Sequence, residues 1–145
     1  MLDKDDSRIH FHFQHTGLSL KNRRRLKSFI VSIFKKEKHR LSSLHFIFCS
    51  DEALLTINRE FLGHDYYTDI ITFNLAENDQ IEGEIYISLD RVRDNAKHLS
   101  QPLYIEFHRV IFHGVLHLCG YRDKTKKEIE IMRAMESKYL HTYFN

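Results

Sequence analysis

The chain has 145 residues, 42% hydrophobic, 12% aromatic and 29% charged, with five glycines and one proline. That excludes a disordered or fibrous chain and suits one domain over residues 1–145 rather than two. Its 22 basic and 20 acidic residues leave a formal charge of +2, too little to bind nucleic acid by bulk charge alone.

No apolar run approaches the roughly 18 residues of a membrane span. The start, Met1-Leu2-Asp3-Lys4-Asp5-Asp6, lacks the basic-then-apolar plan of a secretory signal. The expected location is therefore cytoplasmic, with no membrane partner. Cys49 and Cys119 lack the spacing of a disulfide framework or a thiolate zinc site and read as small core residues. Eleven histidines are many for this length and direct attention to metal or acid/base chemistry.

Ile9, Phe11 and Phe13 alternate with His10 and His12, the period of two of a half-buried strand; His10, His12 and His15 are expected to be solvated strand and turn residues. From Leu20 to Lys38, Leu26, Phe29, Ile30, Ile33 and Phe34 recur at helical spacing. Nine basic residues lie between Lys21 and Arg40, opposed only by Glu37. This is either a phosphate-facing patch containing Lys21 and Arg24 or a solvated helix face. Ser43 to Cys49 is apolar on both alternations and predicts an interior strand.

Ser50 or Asp51 caps a helix to about Leu62, with Leu54, Ile57 and Phe61 inward, and a polar loop follows from Gly63 to Asp69. Two short strands, Ile70 to Leu75 and Gly83 to Ser88, can pair as a hairpin. Asp90 to Leu99 reads as a short helix, and a longer one opens at Ser100-Gln101-Pro102 and runs to Cys119, stopped by Gly120. Thr125 with Glu128 forms a capping box for a last helix carrying Ile129, Met132 and Tyr139 inward. The order predicts an α+β domain: one mixed sheet of about four strands, packed with about five helices, and no doubly wound dinucleotide fold.

The chemistry concentrates at 113–123, His-Gly-Val-Leu-His-Leu-Cys-Gly-Tyr-Arg-Asp. Histidines four apart on a helix lie one turn above each other, so the imidazoles of His113 and His117 can converge on one divalent cation, as on a zinc-hydrolase helix. Gly120 lets the chain reverse, which can return Asp123 as a third ligand. Two histidines and a carboxylate leave a tetrahedral ion one open position, the arrangement of a catalytic metal, most simply zinc. There it lowers the pKa of a water from 15.7 to about 7. The alternative is that His113 and His117 pack in a buried helix; the apolar surroundings of Val110, Ile111, Val115 and Leu118 favour the metal, because buried ring nitrogens need partners. Gly114 stands where a zinc protease carries its general-base glutamate, which argues against peptidase chemistry.

This segment resembles the signature of the YbeY family, His-Gly-x-Leu-His-Leu-x-Gly-Tyr-Asp-His, and meets it at His113, Gly114, Leu116, His117, Leu118, Gly120 and Tyr121. Upstream, Asn58, Phe61, Gly63, Asp65, Thr68, Asp69 and Phe73, and then Gly83-Glu84-Ile85, are similar to further family stretches. The resemblance implies a metal-dependent endoribonuclease specific for single strands and acting in rRNA maturation and ribosome quality control. Its implied partners are rRNA and ribosome-associated proteins. Three departures stand out. Asp123 replaces the family's third histidine, Arg122 replaces its preceding aspartate, and Leu62 stands at an arginine suited to a phosphate, with Arg59 one turn earlier as a possible substitute.

For proton transfer the candidates are Glu106, two turns before His113 on the same face, with Asp69 and Glu84 from the matching segments. Glu106 reads first as a partner of a ligand histidine, then as a solvated charge, and last as the base itself. Tyr66 and Tyr67 can stack on unpaired bases, and the Lys21–Lys27 and Lys124–Lys127 stretches can follow a phosphate backbone. Rival readings are a noncatalytic rRNA- or ribosome-binding assembly factor with a structural metal, and a metal-dependent hydrolase of a small molecule.

Overall fold

The computed structural model describes residues 6–14 and 17–145, so the expectation for His15 lies outside the described residues. Strand β1 (Ile9–Phe13) leads through helix α1 (Arg23–Lys36) to β2 (Arg40–Cys49). Helix α2 (Asp51–Leu62) precedes the hairpin of β3 (Ile70–Asn74) and β4 (Gln80–Ser88). Three helices finish the chain: α3 (Leu89–His98), α4 (Leu103–Leu118) and α5 (Lys126–Phe144). The strand order is β1-β2-β4-β3, with β1, β2 and β4 parallel and β3 antiparallel at the edge. This is the α+β domain with one mixed four-stranded sheet and five helices that the element order predicts.

Strand parity assigns the two faces. Leu44, Phe46 and Phe48 of β2 are in register with Gly83, Ile85 and Ile87 of β4, and all point toward α1 and α4 into the main core. Ile30, Ile33, Val110, Ile111, Phe112 and Val115 close that core from the helix side. Cys49, Ile71, Phe73 and Tyr86 point the other way, where Leu54 and Ile57 of α2 cover them. Since α2 shields only the β3–β4 half, His45 and Ile47 in the middle of β2 stay half-buried on that face, and β2 is not covered evenly on both sides. Both cysteines are buried. Burial pushes the thiols up, Cys49 to about 11 and Cys119 to about 12, so neither is a nucleophile.

The caps follow their sequence signals. The Ser50 hydroxyl accepts from the Ala53 N–H, and Thr125 and Glu128 form a reciprocal capping box. Gly120 takes φ 98° just after α4, the left-handed turn that reverses the chain. Two inward assignments fail. Phe61 is 69% exposed and touches Phe73 edge-on, because the last turn of α2 runs past the sheet edge. Ile129, at 38%, borders the cleft beside His113 instead of packing under α5.

Gly114 sits where α4 presses on the sheet. A Cβ there would lie 2.8 Å from Ile70 Cδ1 and 3.0 Å from two atoms of Ile85. A side chain at this position would press on Ile70 and Ile85, so the helix has no room to present a glutamate base from it. Gly114→Ala is expected to cost about 1–3 kcal/mol by overpacking against the β-branched Ile85. Urea unfolding of the metal-free protein checks this. Among the described residues, no helix is long and apolar enough to cross a membrane.

Candidate metal centre

The third and last turns of α4 project His113 and His117 from one side, their rings 4.5 Å apart and nearly perpendicular. The turn at Gly120 returns Asp123 to them, and its Oδ2 lies 3.3 Å from Nε2 of both histidines. Each ring is held from behind. His117 Nδ1 lies 2.9 Å from the carbonyl of Tyr121, and His113 Nδ1 meets Glu136 Oε2 at 2.5 Å. Both partners only accept, so each neutral imidazole carries its proton on Nδ1 and turns an Nε2 lone pair forward.

With both rings neutral, three acceptors therefore face one another with no proton between them. This donor set fits a cation: ligands about 2.0–2.1 Å from a tetrahedral zinc stand about 3.3–3.4 Å from each other, the spacing found between Asp123 and each ring. Among the described residues, these three form the one group of His, Cys, Asp and Glu that could hold a metal ion. Asp123 is thus close enough to serve as the third ligand where the family signature has histidine.

Behind the histidines runs a buried charge network. Glu136, 2% exposed, takes Arg109 Nη1 on one oxygen at 2.8 Å and His113 on the other. Arg109 also makes a two-bond contact with the wholly buried Glu106, one bond at 2.8 Å through Nε and a second through Nη2. Burial opposes the charge on Glu136, yet His113 and Arg109 hold its carboxyl below the usual range. Burial likewise pulls His113 down, but Glu136, with Asp123 and Asp69, raises it on balance above its ordinary value.

Glu136 is the residue that sequence reasoning missed. Its signal was present: it falls four after Met132 and three before Tyr139, on the buried stripe of α5. A charged residue on such a stripe needs a partner. On the other side, Glu37 accepts from the hydroxyls of Tyr121, at 2.8 Å, and Tyr139. This fixes the loop whose carbonyl orients His117. Burial, then the bond to Glu37, pushes the Tyr121 phenol up to about 12.

A cleft of about 250 Å³ opens over the triad, walled by Thr68, Asp69, Ile70 and Thr72. Asp69 alone of the carboxylates considered for proton transfer lines it, with Oδ2 accepting from Asn95 Nδ2 at 3.2 Å. Glu106 is closed off by Arg109. Glu84 lies on the opposite face of the sheet, in register with His45 and Phe73, and accepts from the Tyr86 hydroxyl.

The residues considered for RNA contact divide by position. Lys124 is exposed directly after Asp123. Tyr66 and Tyr67, 56% and 45% exposed, sit in the loop that runs into Thr68 and Asp69. Exposed Arg59 pairs with Asp65. Lys21 borders instead an apolar groove of about 590 Å³ with Tyr104 and Phe144, at the opposite end of α4 from His117, and exposed Arg24 lies on the first turn of α1 near it.

The sequence profile of the family described as Endoribonuclease YbeY matches residues 9–144. The chain belongs to the YbeY family. A YbeY protein of Cytophaga hutchinsonii is 51% identical over 133 residues, 91% of this chain and 93% of that one. One of Phocaeicola vulgatus is 55% identical over 101 residues, covering 70% and 73%, and one of Porphyromonas gingivalis is 44% identical over 134 residues, covering 92% and 89%. All three are named Endoribonuclease YbeY. The fold matches the solution structure of TM1509 from Thermotoga maritima with a TM-score of 0.61 and 28% identity, over 94% of this chain and 89% of that one. The triad, the cleft and Gly114 thus belong to a YbeY domain.

Proposed function

We propose that this YbeY domain, residues 1–145, is a metal-dependent endoribonuclease that cleaves single-stranded RNA. Its work would be rRNA maturation and ribosome quality control in the cytoplasm, alongside ribosome-associated proteins. The observation that carries the reading is the convergence of three acceptor atoms within 4.8 Å of one another, Asp123 Oδ2 3.3 Å from each Nε2, on an open cleft, in a chain whose relatives are named for RNA cleavage. One divalent ion, most simply Zn2+, fits His113, His117 and Asp123. When bound, it would polarise a phosphoryl oxygen and acidify a water in the cleft.

The chain's own groups supply the rest. Glu136 and the Tyr121 carbonyl keep both Nε2 lone pairs forward, so no rearrangement precedes binding. Asp69, across the cleft, takes the proton of the attacking oxygen on its carboxylate, and Asn95 holds that carboxylate in place. Glu106 acts through Arg109 as a positioning residue and not at the cleft, while Glu84 belongs to the far face. Lys124, Tyr66, Tyr67 and Arg59 hold the strand near the cleft, and Lys21 and Arg24 extend the contact toward the far end of α4.

The test is a chelated protein reloaded with zinc and offered single-stranded and duplex RNA of one sequence. Cleavage of the single strand alone, lost on chelation and restored by metal, supports the reading. RNA binding without cleavage under every metal would make the protein an assembly factor. Hydrolysis of small esters or amides but not RNA would make it a small-molecule hydrolase.

A further inference from the structure

Phe61, Leu62 and Tyr66, on the last turn of α2 and the loop beyond it, are 69%, 42% and 56% exposed. Large apolar side chains grouped in this way mark a binding surface. They are not loosely held. Asn58, 2% exposed, donates from its side-chain Nδ2 to the Tyr66 carbonyl at 2.9 Å, and its main-chain carbonyl accepts from the His64 N–H at 3.1 Å. The Tyr66 ring stacks on His64, centroids 5.2 Å apart and 18° between planes, with its hydroxyl 3.0 Å from His64 Nδ1. Gly63 makes the left-handed turn, and Arg59 pairs with Asp65. A buried asparagine has thus been committed to presenting an aromatic ring to solvent, which lowers the entropic cost of binding there.

The location says what is presented to. Residues Tyr66 and Tyr67 continue directly into Thr68 and Asp69, a wall of the metal cleft. The edge strand β3 shows Ile70 and Thr72 to that cleft and Phe73 to the opposite face, where Phe61 meets it with centroids 6.3 Å apart. The two sites lie on either side of one sheet edge. Charge around the outer site adds little hold on phosphates: Glu60 and Asp65 are exposed, and Arg59, the cation there that reaches the strand, shares its charge with Asp65.

We infer that Phe61 and the His64–Tyr66 pair form a base-stacking platform for an unpaired RNA strand that crosses the β3 edge on its way out of the cleft. This rests on the RNA reading above and adds how the strand is recognised. Rings stack on any base but only on bases free of a duplex, so the platform selects for single strands without selecting sequence. Its contribution is apolar and nearly independent of salt, unlike lysine contacts to phosphate.

The test uses zinc-loaded protein and a fluorescent 2′-O-methyl oligonucleotide, which binds without being cut. Phe61→Ala and Phe61→Leu are both expected to weaken single-strand binding about tenfold with the salt slope unchanged, within what one stacked base contributes. Phe61→Trp restores affinity and, since the chain has no tryptophan, provides a lone emission signal that single strands quench and duplex does not. Because Phe61 is exposed, the melting temperature of all three variants stays at the wild-type value. Wild-type affinity in both Phe61→Ala and Phe61→Leu, or unquenched emission with bound oligonucleotide, overturns the platform; a protein partner for this patch would give that result. A wild-type protein that binds the single strand through Phe61 yet cleaves no RNA leaves the platform standing and removes only the nuclease.

Discussion

Replacing His117 with alanine is expected to lower metal affinity more than about 100-fold, because even residues that only orient a ligand contribute 10–100-fold. If cleavage depends on the metal as proposed, it should fall at least about a thousandfold with it, since the acidified water and the polarised phosphoryl oxygen that a bound ion would supply would be lost together. The fold should survive. His117 lies in the last turn of α4 with its side chain 23% exposed, and alanine is the better helix former. Metal content by mass spectrometry, cleavage of a labelled single strand and thermal melting in chelator are the three readouts. A variant that holds no metal and cleaves at the wild-type rate would detach the nuclease from this centre.

The companion change Asp123→Ala distinguishes ligand from bystander. Asp123 closes the triad at 3.3 Å to both rings, so its loss should release metal as His117→Ala does. If Asp123 served only the positive start of α5, stability would drop slightly and metal content would hold.

Much of this was legible in the sequence, and the failures have physical causes. The His113–His117 spacing and Gly120 fix the two rings and the return of the chain by helix geometry alone. The capping signals at Ser50 and Thr125 are local: Ser50-Asp51 placed the start of α2 to within one residue, and Thr125 with Glu128 placed that of α5 to the residue. Phe61 misled because helical spacing reports which side of α2 is apolar and not where the sheet beneath it ends. For Glu84 the alternation does contain the answer: Gly83 and Ile85 both face α4, Gly83 so closely that a Cβ would lie 2.8 Å from Leu118 Cδ1. The residue between them must point away from the metal helix. Pairing a carboxylate with a distant histidine is different in kind. Glu106 shares a helix face with His113, yet the carboxylate that reaches it comes from α5, 23 residues on. Only the packing of α5 on α4 selects between them.

That carboxylate gives the second large effect. Glu136→Ala removes a buried partner from both Arg109 and His113, and breaking such an arrangement costs about 3 kcal/mol. For a chain of this size the loss appears as a fall of about 6–12 °C in melting temperature without metal. Because Glu136 titrates below its ordinary value in the fold, its stabilisation is complete above the unfolded carboxylate range and vanishes as pH falls through the depressed value. The difference between the variant and the wild type should therefore shrink in acid.

Metal binding carries the opposite signature. The fold raises His113 above 6.5 on balance, burial working against the change and Glu136 producing it. Zinc must displace that proton, so wild-type affinity starts to fall while pH is still above 6.5. In Glu136→Gln burial prevails and the ring deprotonates more readily, moving the onset toward acid. Well above that range the variant still binds about 10–100-fold more weakly, because the amide does not enhance the basicity of Nε2 as the carboxylate does. Zinc titrations of both proteins across pH should give curves that draw together in acid; parallel curves would mean that Glu136 braces α5 against α4 without tuning the ligand.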